Sequence, residues 1–325
     1  MDERVLVTGG AGYIGTPLSR ALLASGRRVR VLDSLLHGQE EIAAGLERDG
    51  VEVVRGNLLD RDVRSTALAG VDAVVHLAAI VGDPACALDP ELANAVNVEG
   101  TRSLVDEADA AGVKRFVFAS TCSNYGRMKD PAVAVDESGE LAPVSLYAEQ
   151  KVAIERGLLE REFTSLAPTC MRFATVYGVA PRMRFDLTVN EFTRDLWAER
   201  DLAVFGELFW RPYIHARDAG RAVIAVLDAP VETVRGEVFN AGNSDENFRK
   251  LDLVEIIRER VQGGNVSYVH RSEDPRDYRV SFEKIRKTLG FETTMTVRSG
   301  VGELVDALAA GTYADPFDRR YRNIP

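Results

Sequence analysis

Val5-Leu-Val-Thr-Gly-Gly-Ala-Gly-Tyr-Ile-Gly15 is the stretch whose reading decides the fold. Val5 to Thr8 reads as a short buried strand and Tyr13 to Ser25 as the helix behind it. Between them Gly9, Gly12 and Gly15 keep the spacing G-x-x-G-x-x-G, with Tyr13 and Ile14 on the same turn. Glycine lets the backbone turn sharply and lets a pyrophosphate approach the helix start. There the unpaired N–H groups and the positive end of the helix dipole stabilise anionic oxygens. A glycine triplet alone also suits an ordinary strand-to-helix turn. A second strand, Val29-Arg-Val-Leu-Asp33, adds the missing element. It ends in an acid about 20 residues beyond the glycines, where a carboxylate accepts bonds from a ribose diol.

Outward from this unit the first half of the chain alternates strand and helix. Glu40 to Arg48, Arg61 to Ala69, Pro90 to Ala111 and Val144 to Leu166 read as helices. Val51 to Arg55, Asp72 to Ala79, Lys114 to Ala119 and Thr169 to Phe173 read as strands. Repeated β-α units with nearly continuous apolar strands imply an α/β fold, a doubly wound parallel sheet covered on both faces. Ligands on such sheets lie outside the carboxyl ends of the strands. Beyond Ala174 the rhythm becomes irregular. Residues 175–325 are expected to form mainly a smaller C-terminal α/β substrate lobe, with 212–241 returning to the first domain of residues 1–174.

The composition narrows the function classes. A formal charge of −10 disfavours nucleic acid as a partner. It also means that a phosphorylated ligand must be held by local arginines and backbone amides. No apolar run approaches the ~20 residues of a membrane span, and a signal peptide is not expected. Cys86, Cys122 and Cys170 show neither paired nor metal-ligand spacing, which points to a reduced, cytoplasmic protein without a metal.

Tyr147-Ala-Glu-Gln-Lys151 lies on a helix in this reading, where positions i and i+4 share a face. An ammonium at ~4 Å from a phenol, with an effective dielectric of ~20, contributes about 4 kcal/mol. That would bring phenolate within reach of neutral pH and make Tyr147 a general base toward an alcohol. The strand before this helix runs into Ala119-Ser-Thr-Cys-Ser-Asn-Tyr-Gly126. Hydroxyls at such a strand end either bond a substrate oxygen as its charge changes or cap a turn.

In these motifs the chain resembles the extended short-chain dehydrogenase/reductases, specifically the nucleotide-sugar epimerases and dehydratases. The resemblance covers essentially the whole chain. It rests on the glycine pattern, Asp33, Tyr125-Gly126, Tyr147/Lys151 and Arg172-Phe-Ala-Thr-Val-Tyr-Gly178. It implies a Rossmann-type fold, NAD as cofactor and a nucleotide-diphosphate sugar as substrate. Thr121 matches the catalytic Ser/Thr that completes a triad with Tyr147 and Lys151. Asn97 matches an asparagine supporting the site, and Leu77-Ala78-Ala79 the loop beneath the cofactor. Asn57-Leu58 stands where the family has Asp-Ile or Asp-Leu beside the adenine. Arg211-Pro-Tyr-Ile-His215 resembles R-x-Y-I-H, whose arginine binds the diphosphate. Asp274-Pro-Arg-Asp277 occupies the region of the family's R-x-G-D without matching it, and Arg276 or Arg279 would substitute. Thr175 replaces a substrate asparagine. Cys122, Ser123, Arg184 and Asn190 complete the expected substrate set, with Arg182, Glu191 and Trp210 as further lid or pocket positions. The long helices Pro90 to Ala111 and Val144 to Leu166 resemble the pair that joins two subunits, so a homodimer is expected.

The departures choose among reactions. Family 4,6-dehydratases carry Thr-Asp-Glu where this chain has Thr121-Cys122-Ser123. Serine cannot replace a carboxylic acid near neutral pH, which argues against dehydration. Epimerisation at C4 through a transient 4-keto sugar remains, with a 4-ketoreductase or 4-dehydrogenase as its rival. Asp33 favours NAD over NADP because a carboxylate repels a 2′-phosphate. A binder that had lost catalysis would need no base, and the intact Thr121/Tyr147/Lys151 set argues against one.

Overall fold

A computed structural model describes residues 3–128, 130, 133–269 and 276–323. Twelve strands are present among them: β1 (Arg4–Thr8), β2 (Arg28–Asp33), β3 (Glu52–Arg55), β4 (Ala73–His76), β5 (Arg115–Thr121), β6 (Ala167–Phe173), β7 (Thr175–Tyr177), β8 (Leu202–Phe205), β9 (Trp210–His215), β10 (Glu237–Ala241), β11 (Asn247–Arg249) and β12 (Val266–Val269). Seven of them form one sheet in the order β10-β6-β5-β4-β1-β2-β3. Every pairing in it is parallel. All seven residues of β6 are buried, as a sheet covered on both faces requires.

Strand order reverses between β1 and β4, where Thr8 stands opposite His76. At such a reversal the crossover helices leave toward opposite faces and a crevice opens at the carboxyl ends. One covering pair, helices Gly15–Ala24 and Ala216–Asp228, packs so closely that a Cβ on Gly220 would lie 3.3 Å from the Leu18 Cα. Strand β10 returns to this sheet beside β6. Strand β9 does not: it pairs with β7 and β11 in a separate three-stranded sheet, so only part of 212–241 rejoins the first domain's sheet. Strands β8 and β12 form a parallel pair, and a second apolar core, drawn from Tyr13 and from residues between Tyr177 and Tyr313, packs around Val189, Phe192, Leu253 and Leu304.

The long helix expected over Pro90 to Ala111 is interrupted. Pro90–Asn94 and Thr101–Ala110 are α-helical, but Ala95–Gly100 is a π-helical turn. Such turns insert a residue into the helix and re-aim side chains. Here the inserted turn contains Asn97. The helix expected over Val144 to Leu166 is shorter, Leu146–Glu160, starting at the Ser145 cap and ending before the extended Arg161.

Candidate active site

The cofactor side is built from one β-α turn. Gly9, at φ +71°, turns the chain out of β1, and its N–H donates to the Leu32 carbonyl at 2.8 Å. A Cβ on Gly15 would lie 2.2 Å from the Gly9 oxygen, and one on Gly9 2.9 Å from the Ala78 nitrogen. The turn therefore presses directly on the Leu77–Ala79 loop. Asp33 closes the other side: Ala11 N–H donates to its Oδ2 at 3.0 Å and Leu35 N–H to its Oδ1 at 2.9 Å. Burial raises this carboxyl, and the two backbone bonds and Arg182 oppose it. Each oxygen keeps acceptor capacity for a diol.

Asn97, turned inward by the π-helical segment, accepts from Ile80 N–H at 2.8 Å and donates to the Ile80 carbonyl and to Gln150 Oε1. It thus ties the loop beyond Ala79 to the helix that carries Lys151. Deeper in, His76 lies between Thr8 Oγ1 and Thr101 Oγ1. Burial and the nearby Lys151 lower it to about 3, so it is neutral.

At the end of β5, Thr121 caps the turn Cys122–Tyr125 by accepting from Ser123 N–H at 3.1 Å. That bond leaves the Thr121 hydroxyl proton free to serve a ligand. Tyr147 and Lys151 follow on Leu146–Glu160, one turn apart. Lys151 is buried, and its Nζ donates to the Ala119 carbonyl at 2.7 Å, 4.6 Å from the Phe118 ring centroid and 5.7 Å from that of Tyr147. Burial lowers Lys151 to about 8. The expectation that this ammonium depresses Tyr147 is corrected here: burial raises the phenol, Cys86 and Asp83 add to the rise, and Arg184 opposes it. The amine bonds the Ala119 carbonyl and lies against the tyrosine ring, so in the chain alone Tyr147 holds its proton.

One further turn along the same face is Glu155, whose role the motif reading missed. Its carboxylate is fully buried and accepts from Ser120 Oγ, from Asn124 Nδ2 at 2.9 Å and from Arg172 at 2.8 Å. Arg172 in turn donates to Tyr125 OH, which donates to Asn240 Oδ1 at 2.7 Å. This network holds both ends of the Thr121–Ser123 loop. The signal lay in the sequence as a charged residue at i+8 from Tyr147, on its own face.

A model of the NAD dependent epimerase/dehydratase family matches residues 5–242. The chain belongs to that family. It is 32% identical over 321 residues to a dTDP-glucose 4,6-dehydratase of Streptomyces niveus, covering 93% of this chain and 92% of that protein. It is 30% identical over 312 residues to a UDP-glucose 4-epimerase of Rhizobium meliloti (strain 1021), covering 90% and 92%. Among solved structures, the UDP-glucuronic acid 4-epimerase of Bacillus cereus superposes with a TM-score of 0.85 at 25% identity, covering 95% of this chain and all of that one. The protein is thus an NAD-dependent enzyme of the extended short-chain dehydrogenase/reductase type.

The residues present fit NAD. The Gly9–Gly15 cradle has no room for side chains, and Asp33 retains acceptors at the crevice edge. Asn57 and Leu58 serve the turn after β3: Asn57 Oδ1 accepts from Leu59 N–H, and Leu58 is buried. Ile14 is half-buried between the two cores. Tyr13 departs from expectation. Its side chain leaves the glycine turn, donates to the Gly178 carbonyl at 2.6 Å and accepts from Asn190 Nδ2, tying the turn to the segment after β7 and to helix Thr188–Trp197.

Among the expected substrate residues, Ser123 Oγ stands 3.3 Å from Tyr278 OH, and the Arg211 guanidinium lies 5.0 Å from the Tyr278 ring centroid. Thr175 is half-buried on β7, opposite Tyr213. Arg276 pairs with Asp83 at 2.9 Å, while Arg279 stacks on Trp210. Asp274 and Pro275 lie outside the described residues. Two expected substrate residues are corrected. Cys122 is buried in the core and its thiol donates to the Arg172 carbonyl, so it does not face a substrate; burial pushes it well above its ordinary range. Asn190 is fully buried, accepting from Gly178 N–H and donating to Tyr13 OH and the Arg184 carbonyl. Arg184 is held by both oxygens of Asp186, and Arg182 donates to the Arg322 carbonyl. Glu191 is half-buried on helix Thr188–Trp197.

Proposed function

We propose that the protein is a nucleotide-sugar epimerase that inverts C4 of a hexose through a transient 4-keto intermediate, with NAD held throughout. The observation that carries this reading is the composition of the loop after β5. Elimination across C5 and C6 needs an acid beside Thr121; here the next two side chains are a buried, bonded thiol and a serine. Oxidation and reduction at C4 need only the base, the hydroxyl partner and the cofactor.

In this reading Thr121 donates to and orients O4. Tyr147 takes the O4 proton and later returns it. Bound NAD would supply the hydride acceptor and, when oxidised, a positive charge in addition to that of Arg184. Lys151 holds its place against the tyrosine ring and is available to a ribose hydroxyl. Gly9, Gly12, Gly15 and Asp33 hold the cofactor; Ser123, Thr175, Arg211 and Arg276 face the sugar nucleotide.

Incubating purified protein with UDP-, dTDP-, GDP- and CDP-hexoses, without added cofactor, and following the sugars by NMR tests this. Interconversion of 4-epimers without net cofactor reduction is expected. A stoichiometric 4-keto or 6-deoxy product would overturn it.

Two further parts of the reading follow from surface and thiols. Leu88, Leu92 and Leu159 are exposed at 68%, 40% and 36% on and beside helices Pro90–Asn94 and Leu146–Glu160, which supports a homodimer through that face. Light scattering at micromolar concentration should give twice the chain mass. Three free, buried thiols suit the cytoplasm; no described helix is long and apolar enough to cross a membrane.

A further inference from the structure

An ion pair joins the two walls of the cleft at its sugar end. Asp83 opens the short helix Asp83–Leu88 beyond β4, directly after Gly82, which takes φ +99° to turn the chain there. Its Oδ1 accepts from Ser145 Oγ at 2.6 Å, and its Oδ2 meets Arg276 Nη1 at 2.9 Å. Ser145 caps the helix that presents Tyr147 two residues later. Arg276 begins the segment whose Asp277 accepts from Trp210 N–H and whose Tyr278 touches Ser123 beneath Arg211. The pair therefore links the wall carrying the base to the wall carrying the expected diphosphate arginine. Asp83 also acts electrostatically on Tyr147. Both partners are partly shielded, at 29% and 26% side-chain exposure, so their charges act more strongly than on an open surface.

We propose that Asp83 is a specificity residue: by neutralising Arg276 beside the reacting end of the cleft, it favours nucleotide-linked neutral hexoses over nucleotide-linked uronates. This rests on the reading of the cleft as a sugar-nucleotide site. A uronate brings a carboxylate of its own, which binds well only where a cation is left to meet it. Arg276 is matched by Asp83, and Arg184, the cation that acts on Tyr147, is matched by both oxygens of Asp186. A second carboxylate placed near Asp83 meets a like charge instead. At an effective dielectric of about 20 and a separation of several ångströms, that repulsion is worth about tenfold or more in affinity.

The two partners give opposite signs. Calorimetric titration of the holoenzyme with UDP-glucose and UDP-glucuronic acid, and with the dTDP pair, measures the hexose-to-uronate affinity ratio for the better-bound nucleotide. The unaltered protein should prefer the hexose by at least about tenfold. Asp83→Asn keeps an acceptor for Ser145 but removes the charge, and should cut that preference at least about tenfold. Arg276→Gln leaves Asp83 without this counter-charge and should widen it. An unchanged ratio in Asp83→Asn, or equal weakening of both ligands, would reduce Asp83 to a support for Ser145 and overturn the proposal. If no nucleotide sugar binds the unaltered protein, the sugar-nucleotide reading itself fails, and this inference with it.

Discussion

In the proposed site, residues 8 to 33 supply most of the cofactor side of the cleft from one continuous stretch, whereas the proposed sugar side is assembled from distant pieces. Gly9 contacts Leu32 and Ala78, and Asp33 bonds Ala11, all within a single β-α-β unit and its neighbouring strand. On the proposed sugar side Ser123 meets Tyr278, 155 positions away, and Asp83 meets Arg276 from a distant part of the chain. The first side is held by backbone bonds and by glycines that exclude side chains. The second is held by side-chain hydroxyls, guanidinium–ring contacts and a half-buried ion pair. A backbone-built site varies little with side-chain substitution, whereas a site made of side chains changes its preference one residue at a time. That contrast agrees with one family holding a single cofactor while its members, a 4,6-dehydratase and a 4-epimerase among them, carry out different reactions.

The largest expected effect lies on the seam between the two sides. Tyr147→Phe removes the one hydroxyl proposed to move a proton while keeping the ring against Lys151. Turnover should fall about 10²–10⁴-fold, and the amount of NAD released on denaturation should match that of the unaltered protein. Loss of cofactor together with activity would instead place Tyr147 in the binding of the cofactor half.

A smaller effect separates chemistry from stability. Burial lowers Lys151 from 10.5 to about 8. Below that value the folded chain carries a charge that water solvates better in the unfolded chain, a cost of roughly 3 kcal/mol. The folded value is the lower one, so the lysine's contribution to stability rises as pH climbs from about 8 toward 10.5 and is lost as pH falls back through about 8. Lys151→Met should therefore stabilise the cofactor-free chain at pH 7 by up to roughly 3 kcal/mol, with the advantage shrinking at alkaline pH, while turnover collapses. Chemical denaturation at both pH values reads it directly. A less stable variant at pH 7 would mean that the bond to the Ala119 carbonyl outweighs the desolvation of the ammonium.

The same contrast explains what was legible in the sequence. The glycine turn, Asp33 and the Tyr147/Lys151 pair are local patterns whose geometry follows from one turn or one helix face, and the alternating strands gave the sheet. Spacing alone could not place Cys122. The strand ends at Thr121, and the tight helical turn that follows buries Cys122, Asn124 and Tyr125 while Thr121 and Ser123 stay half-buried. Tyr13 and Asn190 bond each other across 177 positions, and nothing local marks that joint. The π-helical turn that aims Asn97 inserts a residue into an otherwise regular helical pattern, which periodicity reads through. Glu155 carried a legible signal in its helical register, but its partners Ser120, Asn124 and Arg172 come from two strands and a turn.

The smallest expected effect sharpens the account of the sugar side. By the resemblance Ser123 stands where the dehydratases carry an acid, and its Oγ is 3.3 Å from Tyr278 OH, a long bond between neutral groups. Such a bond is worth about 0.5–1.5 kcal/mol, so Ser123→Ala should lower kcat/KM by a factor between about 2 and 12, mostly through KM, with the reaction course unchanged. A group that touches the reacting carbon behaves differently: its loss falls on kcat and by orders of magnitude. Steady-state kinetics on the best nucleotide hexose therefore decides which side of the comparison Ser123 belongs to. A fall in kcat beyond a hundredfold would move it from the wall of the sugar pocket into the chemistry, and the argument that this loop lacks a third proton-handling group would have to be rebuilt around a serine.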